Sequence, residues 1–122
     1  MAVDRLDHVV LTVSDIEQTV AFYGRVLGLE RITYGAGRTA LALPGQKINL
    51  AEPGDGARIQ PVEICFTTAV PMAEIQAGLA RLGLVVEEGP ILRTGARHPI
   101  LSVYVRDPDG HLVEISNEVP KT

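Results

Sequence analysis

The chain of 122 residues contains one pattern twice, and this internal repeat limits its possible folds more than any other feature. The tripeptide Leu27-Gly28-Leu29 recurs as Leu82-Gly83-Leu84, an offset of 55 residues. The same offset aligns the apolar run at residues 9–12 with residues 64–67. Few residues are identical between the copies, but their strand and helix signals agree. A chain of this length is expected to form one domain, and here that domain consists of two similar halves.

The first copy, about residues 4–52, has the signals of one strand, one helix and three further strands. Alternating apolar residues predict a strand over 5–13. The segment 14–17 predicts a capping box in which Ser14 and Glu17 satisfy free backbone N–H groups at the helix start. Gly28 is typical of the position just past a helix end. The short segments 29–34, 38–43 and 46–51 then predict three strands joined by tight turns.

The second copy, about residues 60–117, begins after a turn-rich linker at 52–58. Its first strand is predicted at 61–68, and Pro71 suits the first turn of the helix that follows. The last strand is predicted at 111–116, after a turn at 107–110 that leaves His111 exposed. About ten extra residues separate helix and last strand in this copy, and we interpret 93–98 as an inserted loop.

Polar residues occupy equivalent strand positions in the two copies. His8 interrupts a β-branched run, and the offset of 55 places Glu63 at the same point of the second copy. Asn49 and Glu114 are the corresponding pair in the two last strands. A polar side chain repeated at one position suggests that each copy contributes to a shared cavity. Asn49 is also compatible with a hydrogen-bonded core amide, and Cys65 with a small buried hydrophobic residue.

Composition and charge exclude several partner classes. The net charge is −4 and there is no basic run, so we expect no nucleic-acid partner. No secretory signal is recognisable, and no apolar run approaches the roughly 20 residues that span a bilayer, so no membrane association is expected. A single cysteine rules out an internal disulfide and fits a reducing compartment. We therefore expect a cytoplasmic protein.

Two long stretches resemble the vicinal oxygen chelate superfamily, which includes glyoxalases, bleomycin-resistance proteins and extradiol dioxygenases. They read LDHVVLTVSDIEQTVAFYGRVLGLE at 6–30 and RTGARHPILSVYVRDPDGHLVEIS at 93–116. The resemblance covers almost the whole chain, and its best match is a set of small glyoxalase-domain proteins. It implies an α+β fold of two βαβββ modules that form a U-shaped mixed sheet around a cavity, with the helices on the outside. It also implies a homodimer.

The resemblance further implies a divalent metal bound by the first and last strands of the modules. His8 matches the first-strand histidine of that superfamily and Glu114 the last-strand glutamate. Glu63 stands where many members have a second histidine, and Asn49 where the glyoxalase I branch has a carboxylate. Members of the nearest set often have histidine where this chain has Ala51.

The ligand set expected from this match is His8, Glu63 and Glu114. One imidazole and two carboxylates can hold Mn²⁺, Ni²⁺, Zn²⁺, Mg²⁺ or Fe²⁺. Non-haem Fe(II) oxygenases usually carry two histidines and one carboxylate, which disfavours a ring-cleaving dioxygenase.

Four further residues are candidates for the wall of the substrate pocket. Tyr104 matches a pocket tyrosine of fosfomycin-resistance enzymes in the same superfamily. Arg93 and His98 can hold an anionic group or supply a proton, and Tyr34 is the fourth candidate.

These residues support two hypotheses of different classes. The first is a metal-dependent glyoxalase-like enzyme, a lyase, isomerase or thiol transferase that acts on a small substrate with vicinal oxygens. The second is a metal-free protein that sequesters a drug or metabolite in the same cavity, as bleomycin-resistance members do. A purely structural module would explain the fold but not His8 and Glu114. The enzyme is the preferred hypothesis.

Overall fold

The computed structural model describes residues 1–55 and 57–120. The chain divides into two compact units, Met1–Gln60 and Pro61–Thr122. Each unit contains one four-stranded mixed sheet and one helix, which confirms the predicted α+β class with paired βαβββ modules. Residues 52–55 and 57–62 form neither helix nor strand, and Gly56 of the predicted linker lies outside the described residues. No helix in the described part of the chain is long and apolar enough to cross a membrane.

The first unit follows the order predicted from its sequence. Its elements are β1 (His8–Thr12), α1 (Ile16–Leu27), β2 (Glu30–Tyr34), β3 (Arg38–Leu43) and β4 (Gln46–Ala51). The strands are arranged β1-β4-β3-β2, with β1 parallel to β4 and the other neighbours antiparallel. The parallel pair is possible because α1 returns the chain to the starting end of the sheet.

Helix α1 covers one face of this sheet. Arg31 of β2 donates to Glu17 of α1 over 2.7 Å, so the helix lies on the face that carries Arg31. Leu41, the cross-strand neighbour of Arg31, and Ile48, the neighbour of Leu41, are buried on that same face. The other face therefore carries the residues that alternate with them, which include His8, Lys47 and Asn49.

The start of α1 differs from the predicted capping box. The N-cap is Asp15, whose side chain accepts a hydrogen bond from the Gln18 N–H at 3.0 Å. The capping residue was placed one position too early because Ser and Asp are equally good N-caps. The end of the helix is as predicted, since Gly28 has the left-handed φ of 67°.

The second unit has the same topology as the first, as the repeat predicts. Its elements are β5 (Glu63–Thr67), α2 (Met72–Arg81), β6 (Glu88–Thr94), β7 (Pro99–Arg106) and β8 (Leu112–Glu118). The strand order is β5-β8-β7-β6, and β5 is parallel to β8. Pro71 is the N-cap of α2 and stands just before the first helical residue instead of within the first turn.

The extra residues of the second copy lengthen the β6–β7 hairpin. Arg93 and Thr94 belong to β6, so the interpretation of 93–98 as an inserted loop was wrong for its first part. The turn itself is tight, because the Gly95 N–H donates to the His98 carbonyl oxygen at 3.0 Å.

His111 is buried, with 1% of its surface exposed, and its expected exposure was wrong. Its Nδ1 accepts a hydrogen bond from the Val62 N–H at 3.0 Å, just before β5 begins. The Asp107 carboxylate accepts from the N–H groups of Asp109 and His111 at 2.9 Å each, which closes the predicted turn. The imidazole is buried because it supplies an acceptor that the backbone beside it needs.

Candidate functional site

Glu114 lies at the centre of a polar cluster in the second sheet. Only 6% of its surface is exposed, and its carboxylate accepts a hydrogen bond of 2.6 Å from the Ser102 hydroxyl. Ser102 is in turn 2.6 Å from the Ser116 hydroxyl, which is 3.4 Å from the Cys65 sulfur. No salt bridge to Glu114 is present among residues 1–55 and 57–120. A buried carboxylate without a cation is expensive, and the Ser102 hydrogen bond compensates part of that cost here.

Glu63 is on the same face of the second sheet as Glu114. Cys65 and Glu114 are cross-strand partners in β5 and β8, and Glu63 precedes Cys65 by two residues. Glu63 itself is exposed. Two of the three predicted metal ligands therefore stand on adjacent strands of one sheet.

Cys65 is solvent-exposed, contrary to the expectation that it packs as a buried hydrophobic residue. Partial desolvation raises the pKa of its thiol, and the negative charges of Glu114 and Glu63 raise it further. The hydrogen bond with Ser116 acts in the opposite direction and lowers that pKa. The thiol is therefore held in its protonated, weakly nucleophilic form.

Tyr104 and Arg93 form a second group beside Glu114. Tyr104 is the cross-strand partner of Glu114, and its hydroxyl accepts a hydrogen bond of 3.0 Å from Arg93 Nε. The same guanidinium donates to Glu88 at 3.0 Å. Burial raises the pKa of Tyr104, the Arg93 hydrogen bond lowers it, and Glu114 raises it. The phenol is therefore neutral at physiological pH and held in a fixed orientation by Arg93.

His98 does not join this group. It closes the 95–98 turn, and five residues of β7 separate it from Tyr104, which is about 20 Å along an extended strand. Its imidazole instead helps Arg97 to lower the pKa of the Glu118 carboxyl. A cavity of about 300 Å³ lies at that end of the sheet, beside Thr67, Thr68, Ala69 and Glu118.

In the first unit, His8 stands near the start of β1 with its side chain 42% exposed. Its Nδ1 is 2.9 Å from an Asp7 carboxylate oxygen, and this hydrogen bond is the main cause of the lowered pKa of Asp7. A carboxylate hydrogen-bonded to Nδ1 fixes the ring orientation and leaves Nε2 as the ring nitrogen that Asp7 does not engage. Lys47 is the cross-strand neighbour of His8.

Asn49 is buried, with 8% of its surface exposed, and its Oδ1 has no hydrogen-bond partner among the described residues. The expectation that its amide is hydrogen-bonded within the core was therefore wrong for this oxygen. An unpaired buried carbonyl costs on the order of 1–3 kcal/mol of stability.

Lys47 was not recognised in the sequence. Its Nζ lies 3.3 Å from the centre of the Tyr34 ring. The two-residue alternation in β4 places Lys47 on the same face as Asn49, and this signal could have identified it. Tyr34 was already a candidate for the pocket wall.

The predicted metal ligands are divided between the units. His8 belongs to the first unit, and Glu63 and Glu114 belong to the second. Among the described residues there is no group of three or more His, Cys, Asp or Glu side chains placed to hold a metal ion.

Fold and sequence together define the class of this protein. The glyoxalase/bleomycin resistance protein/dioxygenase superfamily matches residues 5–115, and the chain belongs to it. Within that superfamily it is 44% identical to a virulence protein of Salmonella typhimurium, over 98% of this chain and 88% of the relative. It is 41% identical to a glyoxalase domain-containing protein of Mycosarcoma maydis, over 96% of this chain and 70% of the relative.

Solved structures show the same fold. The crystal structure of the Salmonella virulence protein has a TM-score of 0.88 at 43% identity, with 98% of this chain and 100% of that chain covered. A fosfomycin resistance protein, FosX, from Listeria monocytogenes was crystallised with Mn(II) and sulfate. It has a TM-score of 0.71 at 22% identity, with 97% of this chain and 93% of that chain covered. This second likeness concerns the fold alone.

Proposed function

We propose that the protein is a metal-dependent glyoxalase-like enzyme, a lyase, isomerase or thiol transferase that acts on a small substrate with vicinal oxygens. The observation that carries the proposal is Glu114. Its buried carboxylate is oriented by Ser102 and has no salt-bridge partner in the described part of the chain. Sequestering an unpaired carboxylate is costly, and a bound divalent cation would offset that cost.

The proposed ligands are His8, Glu63 and Glu114. Their chemistry fits a hard divalent ion, because one imidazole nitrogen and carboxylate oxygens suit Mn²⁺, Mg²⁺, Zn²⁺, Ni²⁺ or Fe²⁺. The hydrogen bond between Asp7 and His8 Nδ1 supports the assignment, since it leaves Nε2 available. Mn²⁺ is the first ion to test, because FosX was crystallised with Mn(II). When bound, the metal would supply Lewis-acid polarisation of substrate oxygens.

Tyr104 and Arg93 are the proposed substrate contacts beside Glu114. Arg93 holds the Tyr104 hydroxyl at 3.0 Å, and both groups can donate hydrogen bonds to a developing oxyanion. His98 is also proposed as a proton donor, although it stands beside Glu118 at the opposite end of β7 from Tyr104. Homodimeric assembly and a cytoplasmic location complete the proposal, and sedimentation and cell fractionation test them.

The alternative is a metal-free protein that binds a drug or metabolite. It is favoured by one observation, that no three metal-ligating side chains are grouped in residues 1–55 and 57–120. A metal-dependent enzyme would contain bound metal and would lose it when a ligand carboxylate is removed. A metal-free binding protein would show neither property.

The decisive experiment measures the metal content of protein purified without chelator or affinity tag, followed by Mn²⁺ titration of the stripped protein. We expect near-stoichiometric divalent metal in the wild type. His8→Ala, Glu63→Gln and Glu114→Gln should each weaken Mn²⁺ binding by at least about 100-fold, because each removes a donor atom. Glu74→Gln, an exposed change on α2, is the matched control and should bind as the wild type does.

Two results would contradict the proposal. Wild-type affinity in all three variants would place the metal elsewhere. Failure of the wild type to take up Mn²⁺, Ni²⁺, Zn²⁺ or Fe²⁺ would favour the metal-free binding protein. Circular dichroism of each variant separates loss of a ligand from loss of the fold.

A further inference from the structure

A cavity of about 300 Å³ in the second unit is lined by residues that the proposed metal site does not use. Thr67, Thr68 and Ala69 form one side of it, at and just after the end of β5, and Glu118 of β8 forms the other. The volume is at the lower end of the range for small-molecule sites and holds about ten waters. The cavity is therefore large enough for a small ligand.

The segment on the β5 side of the cavity is held in place by hydrogen bonds from β8. Asn117 Nδ2 donates to the carbonyl oxygens of Thr68 and Val70, at 2.9 and 2.8 Å. The Thr68 N–H donates to the Ser116 carbonyl oxygen at 2.9 Å, which extends the pairing of β5 with β8 by one residue. This wall is fixed without a ligand, which reduces the entropy cost of binding one.

Glu118 has acceptor capacity that its salt bridge does not use. Arg97 donates once to each carboxylate oxygen, at 3.3 and 3.0 Å. An ionised carboxylate has about four lone-pair sites, so one remains on each oxygen. The Glu118 side chain is 32% exposed, and Arg97 therefore does not cover it. Two acceptors on the two oxygens of one carboxylate match two hydroxyl donors on adjacent carbon atoms.

The threonine hydroxyls supply groups of the complementary kind. Thr68 Oγ1 accepts from the Val70 N–H at 3.1 Å, and this bond uses one lone pair and none of the donor capacity of the hydroxyl. Thr67 is exposed at the end of β5. A hydroxyl both donates and accepts, so a ligand that donates to Glu118 can accept from the threonines.

The charges around Glu118 favour an uncharged ligand. Arg97 pairs with the carboxylate and lowers its pKa, with a smaller contribution from His98, so the carboxylate stays ionised at physiological pH. A cation in the cavity would be repelled by Arg97, and an anion would be repelled by Glu118.

We propose that this cavity binds a small polyol, an uncharged molecule with hydroxyl groups on adjacent carbon atoms. Two adjacent hydroxyls donate to the free lone pairs of the Glu118 carboxylate, and a further hydroxyl exchanges hydrogen bonds with Thr67 and Thr68. These three residues line one cavity, so one ligand can contact all of them. The site shares no residue with the proposed metal ligands and does not depend on the proposed function.

The test uses metal-stripped, ¹⁵N-labelled protein and two probes with the same four-carbon chain. Erythritol has a hydroxyl on every carbon, and butane-1,4-diol has hydroxyls at its ends only. We expect erythritol to bind at least about tenfold more tightly, because only adjacent hydroxyls engage both oxygens of the carboxylate. The amide shifts should be largest at residues 67–69 and 118. Ethylammonium, the probe for a cationic ligand, should bind more weakly than erythritol.

Two substitutions assign the contacts. Glu118→Gln should weaken erythritol binding at least about tenfold, since an amide has one acceptor oxygen in place of two. Thr67→Val removes the hydroxyl, keeps a β-branched side chain and should weaken binding severalfold, whereas Thr67→Ser should bind as the wild type does. Glu87→Gln is the matched control, because it removes the carboxylate of another exposed arginine pair, with Arg106 near the opposite end of β7. It should leave erythritol binding unchanged.

Four results would overturn the inference. They are equal affinity for the two four-carbon alcohols, tighter binding of ethylammonium than of erythritol, equal losses in Glu87→Gln and Glu118→Gln, and no erythritol-induced shifts at residues 67–69 and 118. Circular dichroism of each variant shows whether the fold is retained. His8→Ala should weaken Mn²⁺ binding and leave erythritol binding intact, which separates failure of this site from failure of the metal site.

Discussion

The chemistry of Cys65 depends on its neighbours. It is solvent-exposed, and an exposed thiol is normally the most reactive nucleophile on a protein surface. Partial desolvation and the charges of Glu114 and Glu63 instead hold its pKa above the ordinary value. The same carboxylates that suit a cation therefore suppress the thiolate.

This environment predicts the alkylation profile of Cys65. The midpoint of the pH dependence of its reaction with iodoacetamide should lie above about 8.5, the ordinary value for cysteine. Glu114→Gln removes a negative charge and should lower the midpoint, whereas Ser116→Ala removes a stabilising hydrogen bond to sulfur and should raise it. Mass spectrometry of the modified protein follows the rate. A midpoint at or below that of free cysteine, or unaffected by Glu114→Gln, would contradict the prediction.

At the scale of elements, the β6–β7 hairpin carries Arg93, Ser102 and Tyr104 of the candidate site. The register of the two strands shifts between Glu88 and Ile91, and Gly89 lies within that irregularity with φ of 104°. A Cβ at this position would overlap the Ser102 carbonyl oxygen. Ser102 donates to Glu114, so the hairpin backbone and the buried carboxylate are linked through a single residue.

Gly89→Ala should therefore be more destabilising than a typical glycine substitution. Both the φ value and the backbone overlap oppose it, and we expect a loss of about 1–3 kcal/mol in the free energy of unfolding. Gly78→Ala is the matched control, because it lies inside α2 with only ordinary contact to Arg81. It should stabilise the protein by about 0.5–1 kcal/mol. Urea denaturation measures both, and similar effects of the two changes would show that the hairpin relaxes.

At the scale of the whole molecule, exposed ion pairs make stability depend on pH. Arg97 donates to both oxygens of Glu118, at 3.3 and 3.0 Å, and this interaction lowers the pKa of the Glu118 carboxyl. A carboxyl whose pKa is lowered by folding stabilises the folded state above its unfolded pKa. That contribution is lost as the pH falls through the lower, folded value.

The Tm difference between wild type and Arg97→Gln tests this linkage. It should be constant at pH 6–7, shrink as the pH falls below the ordinary glutamate value of about 4.3, and vanish once Glu118 is protonated in both states. Arg58→Gln makes the same change in net charge without a salt bridge among the described residues and corrects for general charge effects. A difference that persists at pH 2.5 would mean that Arg97 contributes by packing instead of charge.

The sequence by itself determined the two-module fold and the residue positions most similar to the superfamily's ligands. Strand alternation and helix periodicity are local, so the repeat fixed the element order, the end of α1 at Gly28 and the faces of His8 and Glu114 without tertiary information. Net charge and composition are likewise properties of the amino-acid sequence and need no tertiary information.

Tertiary structure decided the properties that depend on residues far apart in the chain. His111 is buried where it accepts from the Val62 N–H, and Arg93 of β6 donates to Tyr104 of β7. Asn49 Oδ1 has no partner among the described residues. Neither propensity nor periodicity contains these facts, since each is set by the identity of a partner on another strand. Hydrogen-bond partners and burial depend on which residues come together in space, and only the folded chain determines which residues do.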